Sequence, residues 1–237
     1  MQLHVGTSGF SYKEWKGPFY PEDLPAKAML RYYAERLSSV EINNTFYRMP
    51  RAGVLADWAA QVPGSFRFAI KASRRITHIK RLKQAGEETD YLLGQLAALG
   101  DRLGVVLFQL PPNLKRDLPR LQAFLAQLDR RVPAAVEFRH PSWQDDEVSA
   151  ALREHGVALC CADDDEQPGR LVATAPLAYL RLRRAAYPPG ELESWAQHLR
   201  DIPCEHAFVF FKHEDAGAGP RLAAAFRELV GTDRPDA

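Results

Sequence analysis

The chain is short of cysteine: only Cys160, Cys161 and Cys204 occur in 237 residues. An odd count, with two neighbours inside one apolar run, argues against a disulfide framework and suits a reducing compartment. Cys160 and Cys161 follow Leu159 in a strand-like run and read as buried packing rather than as nucleophiles. A charge excess of one sign is also missing. Lys and Arg total 31 against 30 for Asp and Glu, a formal net charge of +1, so any preference for a charged partner must come from local patches. No uninterrupted apolar run approaches the roughly 18 residues of a membrane span. The opening "MQLHVGTSGF" has neither the basic nor the apolar segment of a signal peptide. A cytoplasmic protein with no membrane partner is expected. Histidines number seven, with no HExxH and no Cys/His ladder, so neither a bound metal nor another cofactor is expected. "GTSGF" after the first apolar run is not GxGxxG, which removes the usual dinucleotide fingerprint.

What is present is a rhythm. Short strand-like runs occur at 3–8, 40–44, 66–72, 104–110, 134–140, 157–163, 178–183 and 207–213. Helical spacing separates them: Leu30, Tyr33, Ala34 and Leu37; Leu55, Trp58, Ala59 and Val62; Leu121, Phe124, Leu125 and Leu128. It returns at Leu192, Trp195, Ala196 and Leu199, and at Leu222, Ala225, Phe226 and Leu229. Gly156 stands where a helix over Val148–His155 needs a C-terminal cap. Strand and helix alternate about eight times at roughly 30 residues per unit, which predicts a single α/β domain over 1–237, a (β/α)₈ TIM barrel. One unit is degenerate: "DDEQPGRLVATAP" (164–176) has no helical period, so the sixth connection is expected to be a loop. An open doubly wound sheet is the alternative.

The barrel puts its site at the strand C-termini. Polar residues stand at the end of every run: Thr7 and Ser8; Glu41, Asn43 and Asn44; Lys71; Gln109; Glu137 and Arg139; Asp163; Arg181 and Arg183; Lys212 and His213. Strand side chains alternate, so Glu41 opposes Val40 and Ile42, and Glu137 opposes Val136 and Phe138. Lys71 likewise opposes Ile70, and Arg181 opposes Leu180 and Leu182. Apolar sets can then face the helices while polar sets face the barrel axis. Any one of these residues alone also fits a solvated strand end.

The motifs "GTSGFSYKEWKGPFYP" (6–21), "VEINNTFYRMP" (40–50), "FAIKASRRITH" (68–78), "LFQLPP" (107–112) and "VEFRHPSW" (136–143) resemble the YecE-like family, a bacterial domain of unknown function. The resemblance runs in order through nearly the whole chain. It implies a TIM barrel and a site near Glu41, Lys71, His78, Gln109, Glu137, Arg139 and Trp143. It implies no reaction, although likeness to sugar isomerases and to the endonuclease IV fold group has been suggested for the family. Two departures stand out. "RLRR" (181–184) replaces the family's Arg-Leu-His-Gly, and Lys212, His213 and Glu214 stand where many members carry an Asn pair. The chain therefore lacks the seventh-strand histidine and carries two arginines in place of the His-Gly pair.

"KASRRITHIKRLK" (71–83) carries six Lys and Arg, His78 and no acid. With Arg139, Arg181, Arg183 and Lys212 it can form a rim for phosphate or carboxylate, where guanidinium forks fit; a solvated basic loop is the plainer reading. Phe10, Tyr12, Trp15, Phe46, Tyr47, Trp143 and Tyr187 can stack on sugars or bases, or simply pack. Glu41 and Glu137 are the candidate acid/base pair, with Lys71 as a third catalytic candidate suited to proton abstraction beside a carbonyl. Alternatively each carboxylate is ion-paired to Lys71 or Arg139. Asn43, Tyr47, His78, Gln109, Arg139, Trp143, Asp163, Arg181 and Lys212 complete the expected substrate-binding set. A metal cluster from Glu41, Glu137, Asp163, His140 and His213 is the weaker reading, and "DDDE" (163–166) is more often a solvated turn than a hard-cation site. The expected function is metal-independent acid/base chemistry on an anionic small molecule containing phosphate or sugar. The alternatives are a nucleic-acid-binding phosphodiesterase or repair-like protein, and a non-catalytic anion-binding barrel.

Overall fold

In the computed structural model, which describes residues 1–166, 168–212 and 217–231, eight parallel strands close on themselves in sequence order. They are β1 (Gln2–Ser8), β2 (Ser39–Ile42), β3 (Arg67–Lys71), β4 (Leu103–Gln109), β5 (Ala134–Glu137), β6 (Ala158–Asp163), β7 (Leu177–Leu182) and β8 (His206–Phe211). Closure is made by β1 on β8, from Gln2 opposite His206 to Thr7 opposite Phe211. A closed ring rules out the open doubly wound sheet. β2 and β5 end earlier than the apolar runs suggest. Asn43 turns into the αR region and opens a 3₁₀ turn over Asn44–Phe46, while Pro141 opens another over Pro141–Trp143. Both turns lift polar residues off the strand ends and onto the mouth.

Seven α-helices are described: α1 (Met29–Ala34), α2 (Ala52–Ala60), α3 (Gly86–Leu96), α4 (Leu118–Leu125), α5 (Asp146–His155), α6 (Pro189–Asp201) and α7 (Ala218–Val230). Their apolar faces bury as the spacing requires, for example Leu121, Phe124 and Leu125 in α4. Asp117 caps α4 by accepting from the Arg120 N–H at 3.1 Å, and Asp145 caps α5 by accepting from Glu147 at 2.8 Å. Gly156 ends α5 with φ 64°, a left-handed conformation that costs other residues energy. Among the described residues between β6 and β7 there is no helix. That connection is tied down by side chains instead: Thr174 Oγ1 accepts from Leu159 N at 2.7 Å, and Asp163 Oδ1 from Gly169 N at 2.8 Å.

Alternation sorts the apolar residues into two cores. The larger lies between strands and helices and includes Val40, Phe68, Ile70, Phe108, Val136, Leu180 and Phe211. The smaller fills the barrel axis with Ala69, Val105, Leu107, Ala135, Ala158, Cys160, Leu177, Tyr179, Phe208 and Phe210. The barrel is therefore plugged by side chains, as barrels of this size are. Polar groups one step further along the same parity sit on top of this plug.

Candidate active site

Glu41, Gln109, Glu137 and Arg181 cap the axial core directly, each buried at the C-terminal end of its strand. Arg181 lies between the two glutamates. Its Nη1 donates to Glu137 Oε2 at 2.6 Å and its Nη2 to Glu41 Oε1 at 3.0 Å. Its Nε lies 2.9 Å from Glu41 Oε2, an ion contact without hydrogen-bond alignment. The remaining acceptor positions are also engaged. Glu41 receives Ser8 Oγ at 2.9 Å, Asn43 Nδ2 at 2.9 Å and the Tyr179 hydroxyl at 2.7 Å. Glu137 receives Gln109 Nε2 at 2.7 Å and Arg139 Nε at 3.0 Å. Burial by itself pushes both carboxyls up, but the Arg181 charge and these donors prevail. Glu41 is held below its ordinary value and Glu137 at about 2. Two carboxylates ionised and hydrogen-bonded at neutral pH are poor proton carriers there. Of the ion pairs expected from the sequence, Arg139 with Glu137 is present, whereas Lys71 pairs with neither carboxylate and Arg181 bridges both.

Lys71 ends β3 on the axial side, half-buried, with Nζ 4.5 Å from the centre of the Phe46 ring. It has no ion pair or side-chain hydrogen bond among the described residues. Burial, then the Arg181 charge, bring its ammonium down to about 8. The far side of the local cluster is His78, whose ring meets Phe46 edge-on at 4.8 Å and whose Nδ1 is 2.9 Å from Thr77 Oγ1. Burial and the charges of Lys71 and Arg139 lower His78, which favours the neutral ring. Arg183, half-buried, feels the same charges of Arg181 and Arg139, so these groups converge on one mouth. Lys71, Arg139, Arg181 and Arg183 bring four cations to the two carboxylates, and the surplus is positive. Lys212 follows β8, half-buried and two residues after the axial Phe210.

The basic segment is not a plain loop. Arg75–Ile79 form a single π-helical turn, which the sequence pattern did not predict, followed by positive φ at Arg81 (51°), Leu82 (66°) and Gln84 (49°). Left-handed non-glycine residues store strain, and such strain tends to gather at functional sites. Arg74 and Arg75 are exposed, and so is Tyr47, which packs on Phe46 and reaches solvent.

Two expected site residues, Asp163 and Trp143, stand apart from this mouth, and so does Trp15, one of the aromatics that could either stack or pack. Asp163 shares parity with Leu159 and Cys161 and faces the helix layer. There it accepts from Tyr187 at 2.8 Å and pairs with Arg184 at 2.9 Å. Trp143 is buried, stacked on Phe138 at 4.5 Å, with its N–H donating to Leu114 O at 2.7 Å. Trp15 is likewise buried among aromatic neighbours. His213 and Glu214 lie outside the described residues. Among the described residues no group of three or more His, Cys, Asp or Glu comes together to hold a metal ion, and no helix is long and apolar enough to cross a membrane. Tyr179 was missed as a site residue, although standing two before Arg181 on the same strand face was its signal.

Comparison with known proteins agrees with this architecture. A family model described as "Protein of unknown function DUF72" matches residues 4–237. The UPF0759 protein YecE of Escherichia coli is 31% identical over 161 residues, covering 65% of this chain and 57% of that protein, so the match spans little more than half of its length. The UPF0759 protein YunF of Bacillus subtilis is 22% identical across 96% of this chain and 94% of its own. A crystal structure of a DUF72 family protein from Thermotoga maritima superposes with a TM-score of 0.86 at 28% identity, covering 98% of this chain and all (100%) of the other. A DUF72 family protein from Enterococcus faecalis gives 0.80 at 20% identity, with 98% of each chain covered, and supports the fold alone.

Proposed function

The chain belongs to the DUF72 family of proteins of unknown function, and we propose that its barrel mouth binds a small anionic molecule, phosphate- or sugar-containing, and carries out acid/base chemistry on it through Lys71. The observation that carries this reading is the contrast between the three charged groups first expected to act. Glu41 and Glu137 are saturated by Arg181 and its neighbours, whereas the Lys71 amine is unpaired among the described residues and brought to about 8. A lysine held near neutrality can accept a proton from a carbon beside a carbonyl and return it. His78, next to it across Phe46, is suited to carry a proton to or from the neighbouring oxygen. The Glu41–Arg181–Glu137 bridge then acts as a rigid floor that fixes charge beneath the substrate, and Arg139 and Arg183 hold its anionic group.

The test has two arms. Phosphate, sulfate and sugar phosphates should raise the melting temperature of the wild type. Lys71→Met keeps the stem and removes one charge-assisted hydrogen bond of roughly 1.5–3 kcal/mol, so binding should weaken about ten- to a hundredfold. Solvent-deuterium exchange beside the carbonyl of a sugar phosphate, followed by NMR, should require Lys71. A wild type indifferent to every anion at millimolar concentration overturns the anion site. Anion binding without Lys71-dependent exchange leaves a binding barrel and overturns the chemistry.

A further inference from the structure

We propose that the opposite, N-terminal end of the barrel is a second binding site, built for a compact organic carboxylate. A cavity of about 330 Å³ opens there, lined by His4, Arg67, Arg130 and His206 together with Phe208 and Leu103. That volume falls at the small end of ligand pockets, which run from about 300 to 1,000 Å³. Among the described residues no Asp or Glu lines it. The acid acting on Arg67 is Asp101, which Arg102 opposes. Cationic walls without a counter-charge favour an anion.

His4 makes this more than a basic patch. It is 2% exposed, and neither ring nitrogen has a hydrogen-bond partner among the described residues. Its ring is held flat by stacking on Phe208 at 4.5 Å, with His206 alongside at 5.9 Å. Burial, then Arg67 and His206, bring it to about 4, so the ring is neutral and offers one N–H donor and one acceptor. Its ring nitrogens are not among the enclosed unpartnered atoms, so they open on the cavity, where a ligand can take the place of water. Arg67 is fixed from behind, its Nη1 donating to Gly64 O at 2.7 Å and Phe66 O at 3.0 Å. Arg130 is steadied by Glu154 O at 3.3 Å. Their remaining N–H groups and the His4 N–H suit the two oxygens of a carboxylate. Phe208 and Leu103 suit an apolar body attached to it. This end of a barrel usually serves stability alone, and an imidazole open on a cavity beside two arginines adds nothing to stability.

The full chain should be titrated with benzoate and cyclohexanecarboxylate, with acetate and inorganic phosphate as controls. Imidazole NMR and melting temperature report binding. Benzoate or cyclohexanecarboxylate is expected to bind saturably and shift the His4 resonances, with acetate and phosphate far weaker. His4→Phe preserves the stack on Phe208, and Arg130→Gln changes only an exposed side chain. Each should weaken binding about tenfold, while Lys71→Met leaves it unchanged. Absence of a saturable response overturns the site. Equal responses to acetate or phosphate also overturn it, as does a response abolished by Lys71→Met but not by the basal variants.

Discussion

Arg181→Met strikes the floor of the mouth. The guanidinium is 4% exposed and the two carboxylates it joins are 0% and 1% exposed. Methionine has comparable length and no charge. Glu41 then keeps only neutral donors, Ser8, Asn43 and Tyr179, while Glu137 keeps Arg139 and Gln109. Stranding a buried charge by removing its partner costs about 3–5 kcal/mol. In a chain of this size each kcal/mol moves the melting temperature by about 2–4 °C, so a loss of about 6–20 °C is expected. The pH dependence has a definite sign. In the wild type both glutamates are depressed, Glu137 to about 2. Their contribution is therefore complete above the unfolded carboxylate value of about 4.3 and lost as pH falls through the folded values. Without Arg181 both carboxyls rise and protonate readily, so the gap between variant and wild type should be wide near neutral pH and narrow towards pH 4.5. Paired melts by circular dichroism at the two pH values decide it. A variant within about 2 °C of wild type at neutral pH, or a gap that fails to narrow, refutes the bridge as a stabilising element.

Asp163→Asn should cost about 1.5–3 kcal/mol in urea unfolding, because the carboxylate that pairs with Arg184 and receives Tyr187 and Gly169 loses its charge. It should leave anion binding at the mouth intact, since Asp163 faces the helix layer; parallel loss of both would contradict that placement. Gly156→Ala forces a Cβ into φ 64° and should lower stability by about 1 kcal/mol, with no change in any ligand response.

The strand order and the polar strand ends were readable because β2, β5 and β7 alternate strongly: Val40, Val136 and Leu180 on one face, Glu41, Glu137 and Arg181 on the other. β6 gave no such handle. Its Ala158, Cys160 and Ala162 face the axis and its Leu159, Cys161 and Asp163 face outward. With small or apolar residues on both sides, nothing in the sequence revealed that Asp163 turns away from the mouth. α3 was hidden because Thr89 holds one of its buried positions beside Leu92 and Leu96. Parity gives the direction of a side chain but not its reach. That Arg181, not Lys71, would bind Glu41 depends on a contact across 140 residues of sequence. The π-helical turn at Arg75–Ile79 has no periodic signature over so few residues.

The central claim is that Lys71 presents an amine near neutrality above a floor of satisfied carboxylates. Its ionisation can be read directly by selective labelling of lysine side chains and NMR titration, with Lys71→Met to assign the resonance. The account predicts an inflection at about 8, moving upward when phosphate or a sugar phosphate binds, because an anion favours the ammonium. An inflection at the ordinary lysine value of about 10.4, unmoved by any anion, contradicts it.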